Sequence, residues 1–309
     1  MKICLLGGGG FVGHHLASLL AARGHTLTIP CRQRDRIKDL LVLPGVELIE
    51  ADIHDPASLE NLFRGQDAVI NLVGILHGSR SEFARVHAEL PMKVVQACRH
   101  AGVDRLLHMS ALGASTESRS VYQQTKAQGE KHVLEATDLT VTVFRPSVIF
   151  GPGDSFLTLF ADLLGLAPVV PLAGGHARFQ PVYVGDVARA FADSLDLPES
   201  RGQVYSLCGP RVYTLADLVS LVARHLGMRR VVIPLGDTPS YLFARLMELK
   251  PGQKIMTRDN HYAMQADNVC PEGFPACFGT PAALETQLGY LRDEGPKCLY
   301  DRFRRTAGR

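Results

Sequence analysis

Tyr122 and Lys126 stand four residues apart in the stretch SRSVYQQTKAQGE, residues 118–130. On a helix this spacing stacks the two side chains on one face. A lysine ammonium beside a phenol lowers the phenol's pKa and turns it into a usable proton donor or acceptor. The same residues would also suit a plain solvated helix, so the surrounding sequence has to decide.

A second chemical signal lies at the start of the chain. GGGGFVG follows the apolar run KICLL and opens a helical pattern, FVGHHLASLLAARGH. Gly7, Gly10 and Gly13 give G-x-x-G-x-x-G. Glycines between a strand and a helix allow a tight turn, and they let the backbone N–H groups around Phe11 and Val12 approach a pyrophosphate. An NAD site places an acid about 20 residues further on, at the ribose 2′-hydroxyl. Here Arg32 stands nineteen residues after Gly13, followed by Arg34 and Arg36, and the nearby acid, Asp35, lies past the strand end. Arginine at that place suits a 2′-phosphate, so NADP(H) is favoured, with NAD(H) as the alternative. A solvated arginine turn is the plainer reading of the same residues. Asp52 and Ile53 end the third strand and are placed to meet the adenine. Leu72, Val73 and Gly74 end the fourth, on the ribose and pyrophosphate side.

The elements that must position these residues alternate between short apolar strands and helices. TLTIPCR, VELIEAD, DAVINLVG, DRLLHMS and LTVTVFRPSVIFG read as strands, separated by helical patterns. Asp55 is an N-cap followed by Pro56, Gly24 sits where a helix C′ glycine belongs, and Thr214 caps a later helix. The order indicates an α/β fold, a doubly wound parallel sheet with a smaller, mostly helical C-terminal lobe. Residues 1–150 plus about 181–208 are assigned to the dinucleotide-binding part, and about 151–180 plus 209–309 to the smaller lobe.

Several classes of function are disfavoured. Net charge is only +2, which gives no footprint for nucleic acid, and the basic tail DRFRRTAGR reads as a solvated terminus. The twelve histidines form no HxxxH or HExxH pattern, and no G-x-S-x-G elbow is present. His14 and His15 read as neighbours of the glycine loop, and His87 as a packing or surface residue of a helix. Seven scattered cysteines without a CxxC pair indicate neither a disulfide framework nor a zinc site. A reducing compartment, the cytoplasm, follows from them. No apolar run reaches the about 18–20 residues of a bilayer span, which leaves peripheral membrane association open. The stretch TPSYLFARLMELKPG, residues 238–252, is amphipathic. It reads as a lobe helix covering the substrate cleft or as a docking surface for a partner or a quinone-bearing membrane.

With the glycine loop, the AD at the third strand end and Y-x-x-x-K in order, the chain resembles the extended short-chain dehydrogenase/reductases, the NAD-dependent epimerase/dehydratase group. FRPSVIFGPGD (144–154) and PVYVGDVARA (181–190) look like two further hallmarks of it. Within the group, GGGGFVG, the arginine after the second strand, HMSALGA and YQQTKAQGE most resemble the branch of the nucleotide-binding accessory subunit of respiratory complex I. The resemblance implies that Tyr122 is the proton donor or acceptor and that Lys126 aids it and binds the nicotinamide ribose. It implies that backbone from Pro146 to Val148 faces the carboxamide of the nicotinamide. The family's serine or threonine for the substrate oxygen would be Ser110, but Ala111 and Leu112 occupy the adjacent places, leaving Ser115 or Thr116 as substitutes. Two functions are expected: an NADP(H)-dependent oxidoreductase or epimerase on an unspecified small molecule, or an NADPH-holding module of a respiratory or ubiquinone-biosynthesis assembly.

Overall fold

The computed structural model describes residues 1–248 and 256–292. Cys298, the basic tail, and Leu249 to Gly252 of the amphipathic stretch lie outside the described residues. The chain begins with β1 (Lys2–Leu6), α1 (Phe11–Ala22), β2 (Thr26–Cys31), β3 (Val46–Glu50), α2 (Pro56–Phe63) and β4 (Ala68–Asn71). Next come α3 (Arg80–Ala84), a π-helical turn (Arg85–Glu89), α4 (Leu90–Ala101), β5 (Arg105–Met109), α5 (Val121–Leu134) and β6 (Thr140–Pro146). Short pieces follow: β7 (Ile149–Phe150), α6 (Phe156–Leu166), β8 (Val169–Leu172), β9 (Arg178–Phe179) and β10 (Val182–Tyr183). The last are α7 (Val184–Asp196), β11 (Val204–Leu207), β12 (Tyr213–Thr214), α8 (Leu215–His225), β13 (Val231–Pro234), α9 (Asp237–Glu248) and α10 (Arg258–Ala263).

Seven strands form one sheet in the order β11-β6-β5-β4-β1-β2-β3, every pair parallel. The side-chain alternation of β1 divides the core in two. Ile3 and Leu5 join Leu16, Leu20, Val187 and Phe191 of α1 and α7 on one face. Cys4 and Leu6 join Leu59, Val94 and Val133 of α2, α4 and α5 on the other. The order reverses between β1 and β4, and at such a switch point ligands bind beyond the carboxyl ends of the strands.

The expected caps are present: Asp55 accepts from Ser58 N–H, and Thr214 forms a capping box with Asp217. Gly24 has φ of 79° just beyond α1. β8 and β13 pair in parallel, a two-stranded element outside the main sheet. The broad apolar side expected of α9 is not buried as a whole. Ser240 and Ala244 face inward, while Leu242 and Leu246 are 65% and 59% exposed.

One expectation is corrected outright. Cys208 and Cys270 form a disulfide, while Cys4, Cys31, Cys98 and Cys277 are free. Gln180 bridges the two sides of this link, donating to Gly209 O (2.7 Å) and accepting from Cys270 N–H (2.8 Å). The partners are 62 residues apart, so spacing alone could not pair them, and cysteine usage no longer argues for a reducing compartment.

The disulfide is one of several anchors by which residues 256–292 return to the earlier chain. Asp186, within the PVYVGDVARA motif, accepts from Ala282 N–H (2.7 Å). Asp154, which ends FRPSVIFGPGD, caps α6 through Leu157 N–H (2.9 Å) and takes the Tyr290 hydroxyl. Among the described residues no helix is long and apolar enough to cross a membrane, and no cluster of potential metal ligands occurs.

Candidate active site

The glycine loop is packed against its surroundings at the places where only glycine fits. Gly7 has φ of 83°, and a Cβ there would meet the Leu72 carbonyl carbon and Val73 N at 3.2 Å. A Cβ on Gly13 would stand 2.2 Å from Gly7 O. Gly10 is the N-cap of α1 and offers no side-chain cap. The N–H groups of the first helical turn, beginning at Phe11 and Val12, therefore keep their free donors at the strand ends. These features fit a pyrophosphate. His15 Nε2 donates to Pro152 O (2.9 Å), tying the GPGD loop to α1, and His14 pairs with Asp39 at 3.1 Å, so both histidines are structural.

Arg32 follows the last residue of β2, is exposed, and makes no ion pair among the described residues. The nearby Glu50 carboxylate is engaged by Arg34 N–H at 2.8 Å. Asp52 is exposed and accepts from His54 N–H (2.9 Å), while Ile53 packs on the α2/α4 core. Leu72 is buried, and Val73 N–H donates to Asn71 Oδ1 at 3.1 Å.

Lys126 is buried, and its Nζ donates to Met109 O (2.9 Å) at the end of β5. A Cβ on Gly74 would lie 3.4 Å from that Nζ and 3.6 Å from His87 Nε2, so β4, the π turn and α5 converge here. Burial pushes the Lys126 ammonium down to about 8, against the opposing pull of Glu130. Tyr122, one turn earlier, is half-buried, and its hydroxyl has no hydrogen-bond partner among the described residues. Its ring meets His87 edge-on at 5.3 Å and Phe83 at 6.1 Å. Contrary to the sequence expectation, the phenol is not lowered by Lys126. Burial, then the Asp259 carboxylate, push it up to about 12.

Sequence reasoning missed a polar layer beneath this pair. His87 is buried, accepts from Ile75 N–H at Nε2 (3.0 Å), and gives its Nδ1 proton to Thr125 Oγ1 (3.2 Å). Burial, then Lys126, hold it neutral with a pKa near 3. His108 in β5 accepts from Asn71 Nδ2 (3.3 Å), which leaves its Nε2 buried without a partner. A lone histidine within LLHMS gave no signal beyond packing. A π turn in a helix is a frequent mark of a functional site, but i→i+5 bonding leaves no trace in residue type.

Two implied positions are placed as follows: Ser110 is 2% exposed, and its Oγ is buried with no partner among the described residues. Ser115 and Thr116 are exposed on the following loop. Val148 has both backbone groups engaged: its N–H donates to Asn268 Oδ1 (3.2 Å), and its carbonyl accepts from Val182 N–H (3.0 Å). Pro146 O likewise accepts from Leu112 N–H (2.9 Å).

Residues 3–208 match the model of the NAD dependent epimerase/dehydratase family. The chain belongs to that family. Its similarities extend in several directions. It is 31% identical over 282 residues to the mouse NADH dehydrogenase [ubiquinone] 1 alpha subcomplex subunit 9, mitochondrial, covering 88% of this chain and 73% of that one. It is 30% identical over 187 residues to the ceramide reductase of Caulobacter vibrioides, covering 60% and 58%. Among solved structures, the UDP-glucuronic acid 4-epimerase of Bacillus cereus, in complex with UDP-glucuronic acid and NAD, superposes with a TM-score of 0.68 at 18% identity over 96% of this chain and all of that one. The epimerase/dehydratase fold thus extends beyond the matched residues, through most of the C-terminal lobe.

Proposed function

We propose that the chain is an NADP(H)-dependent oxidoreductase that reduces a carbonyl, with Tyr122 giving the proton to oxygen. The observation that carries this reading is the Tyr122–Lys126 arrangement: a buried lysine fixed on Met109 O at a strand end, and a phenol left unbonded one turn away. When bound, the reduced nicotinamide supplies the hydride. The protein's own residues supply the rest. The first turn of α1 takes the pyrophosphate, and Arg32 takes the 2′-phosphate. Lys126 holds the ribose and offsets the charge of the phenolate left when Tyr122 gives up its proton. The ceramide reductase among the relatives supports the reductive direction.

The test is NADPH oxidation by the purified protein against a panel of ketones and 3-oxo lipids, repeated with Tyr122→Phe. Removal of a general acid should lower turnover about 100-fold or more. Equal turnover by both proteins would refute the role of Tyr122.

A second reading, a nucleotide-holding module in a respiratory or quinone-biosynthesis assembly, is favoured by the inaccessible Ser110 hydroxyl and by the similarity to the mouse subunit. Under it NADPH is a structural ligand, association with a membrane complex is peripheral, and no member of the panel is reduced.

A further inference from the structure

Asp259 lies on α10, 137 residues beyond Tyr122, and nothing in the family motifs points to it. Its carboxylate reaches the start of α5. Oδ1 accepts from Val121 N–H (2.5 Å), while Oδ2 accepts from the Ser120 hydroxyl (2.9 Å) and Tyr122 N–H (3.3 Å). Ser120 is the N-cap of α5 and accepts from Gln123 N–H. Donors left open by the ordinary cap are thus taken by a carboxylate from the far end of the chain. The contact is built from both sides. Thr257 and Asn260 form a capping box that fixes α10, and Arg258 is held by Glu248 of α9 through its N–H (2.8 Å) and Nε (2.7 Å).

We propose that Asp259 is a positioning residue of the site: its carboxylate holds the first turn of α5, and with it Tyr122, and places a negative charge on that turn. This rests on the carbonyl-reducing reading above. A carbonyl carbon that receives a hydride passes its π pair to oxygen, and that oxygen needs one proton. Tyr122 Oη gives it, and the phenolate then regains a proton from solvent. A carboxylate fixed on the Tyr122 backbone N–H disfavours the phenolate, so the phenol keeps its proton to higher pH. Lys126 on the same helix face acts in the opposite direction, with its Nζ turned to Met109 O; His87 is held neutral; Glu130 is paired with Arg145; Arg258 is paired with Glu248. The carboxylate therefore acts on the charge of the phenol as well as capping the helix.

The test uses full-length protein labelled with [13C]Cζ-tyrosine, with the Tyr122 resonance assigned from Tyr122→Phe. Asp259→Asn keeps an oxygen for Val121 N–H and removes the charge. Its Tyr122 titration should move down by about 1 pH unit, the scale of one nearby charge. Asp259→Ala removes the acceptors as well, and amide exchange at Val121 and Tyr122 should accelerate about fivefold, as expected for loss of a helix cap worth about 1 kcal/mol. An unchanged titration in Asp259→Asn overturns the electrostatic role, whether or not Asp259→Ala folds. Unchanged exchange in a folded Asp259→Ala overturns the positioning role. Neither result depends on turnover, whereas the carbonyl-reducing reading fails separately if Tyr122→Phe reduces the panel as well as the wild type does.

Discussion

Gly13 approaches Gly7 so closely that a Cβ on Gly13 would stand 2.2 Å from the Gly7 carbonyl oxygen. The contact is backbone on both sides, so no side chain can rotate away. Gly13→Ala must push the start of α1 from the loop that turns its N–H groups toward the strand ends. NADPH affinity, followed by its fluorescence on binding, should fall at least tenfold, and the melting temperature should fall with it. Unaltered affinity would separate this packing from nucleotide binding.

A second close approach fixes the Tyr122 helix. A Cβ on Gly129 would lie 1.8 Å from His87 O, on the π turn. Gly129→Ala should cost about 1–3 kcal/mol or more, as overpacking does, measurable by urea denaturation. Because α5 carries Lys126, the variant should also lose NADPH affinity, whereas Gly165→Ala on α6, where a Cβ meets nothing within 4 Å, should leave it unchanged.

Burial of Lys126 makes stability depend on pH in a defined direction. Its folded pKa of about 8 lies below the unfolded value of 10.5. Below about pH 8 both states are protonated, and the folded state bears the full cost of a buried ammonium. Between about 8 and 10.5 the folded state loses its proton first, and the penalty fades. Lys126→Met should therefore gain most in melting temperature, relative to wild type, at pH 6–7, with the gap narrowing by pH 9.5. A gap that widened with pH would contradict this origin.

The Cys208–Cys270 link closes a loop of 62 residues, and chain entropy allows it roughly 4 kcal/mol of stabilisation. Reductant should lower the melting temperature of wild type. It should leave the Cys208→Ala/Cys270→Ala double variant, already lower, unmoved. Insensitivity of the wild type to reductant would contradict a stabilising link.

Local signals in the chain were legible, and distant partnerships were not. The apolar run of β1, the Asp55 and Thr214 caps, and the glycines around α1 follow from neighbours a few residues apart, and the parallel sheet follows from them. Asp154 and Asp186 lie within motifs the sequence displays, yet their partners, Tyr290 and Ala282, lie 136 and 96 residues away. Nothing in residue type could pair Asp259 with Val121, or Asn268 with Ser147 and Val148. The pKa expectation for Tyr122 failed for the same reason. It weighed the adjacent Lys126, which sequence shows, and omitted burial and Asp259, which only the fold supplies.

The decisive measurement is the dissociation rate of NADPH from the purified protein by fluorescence chase, with NADH measured beside it. Exchange of NADPH within seconds, tighter binding of NADPH than of NADH, and loss of that preference in Arg32→Ala are expected. Retention of NADPH over hours would contradict turnover and leave the structural-ligand reading, and tighter binding of NADH would contradict the role given to Arg32.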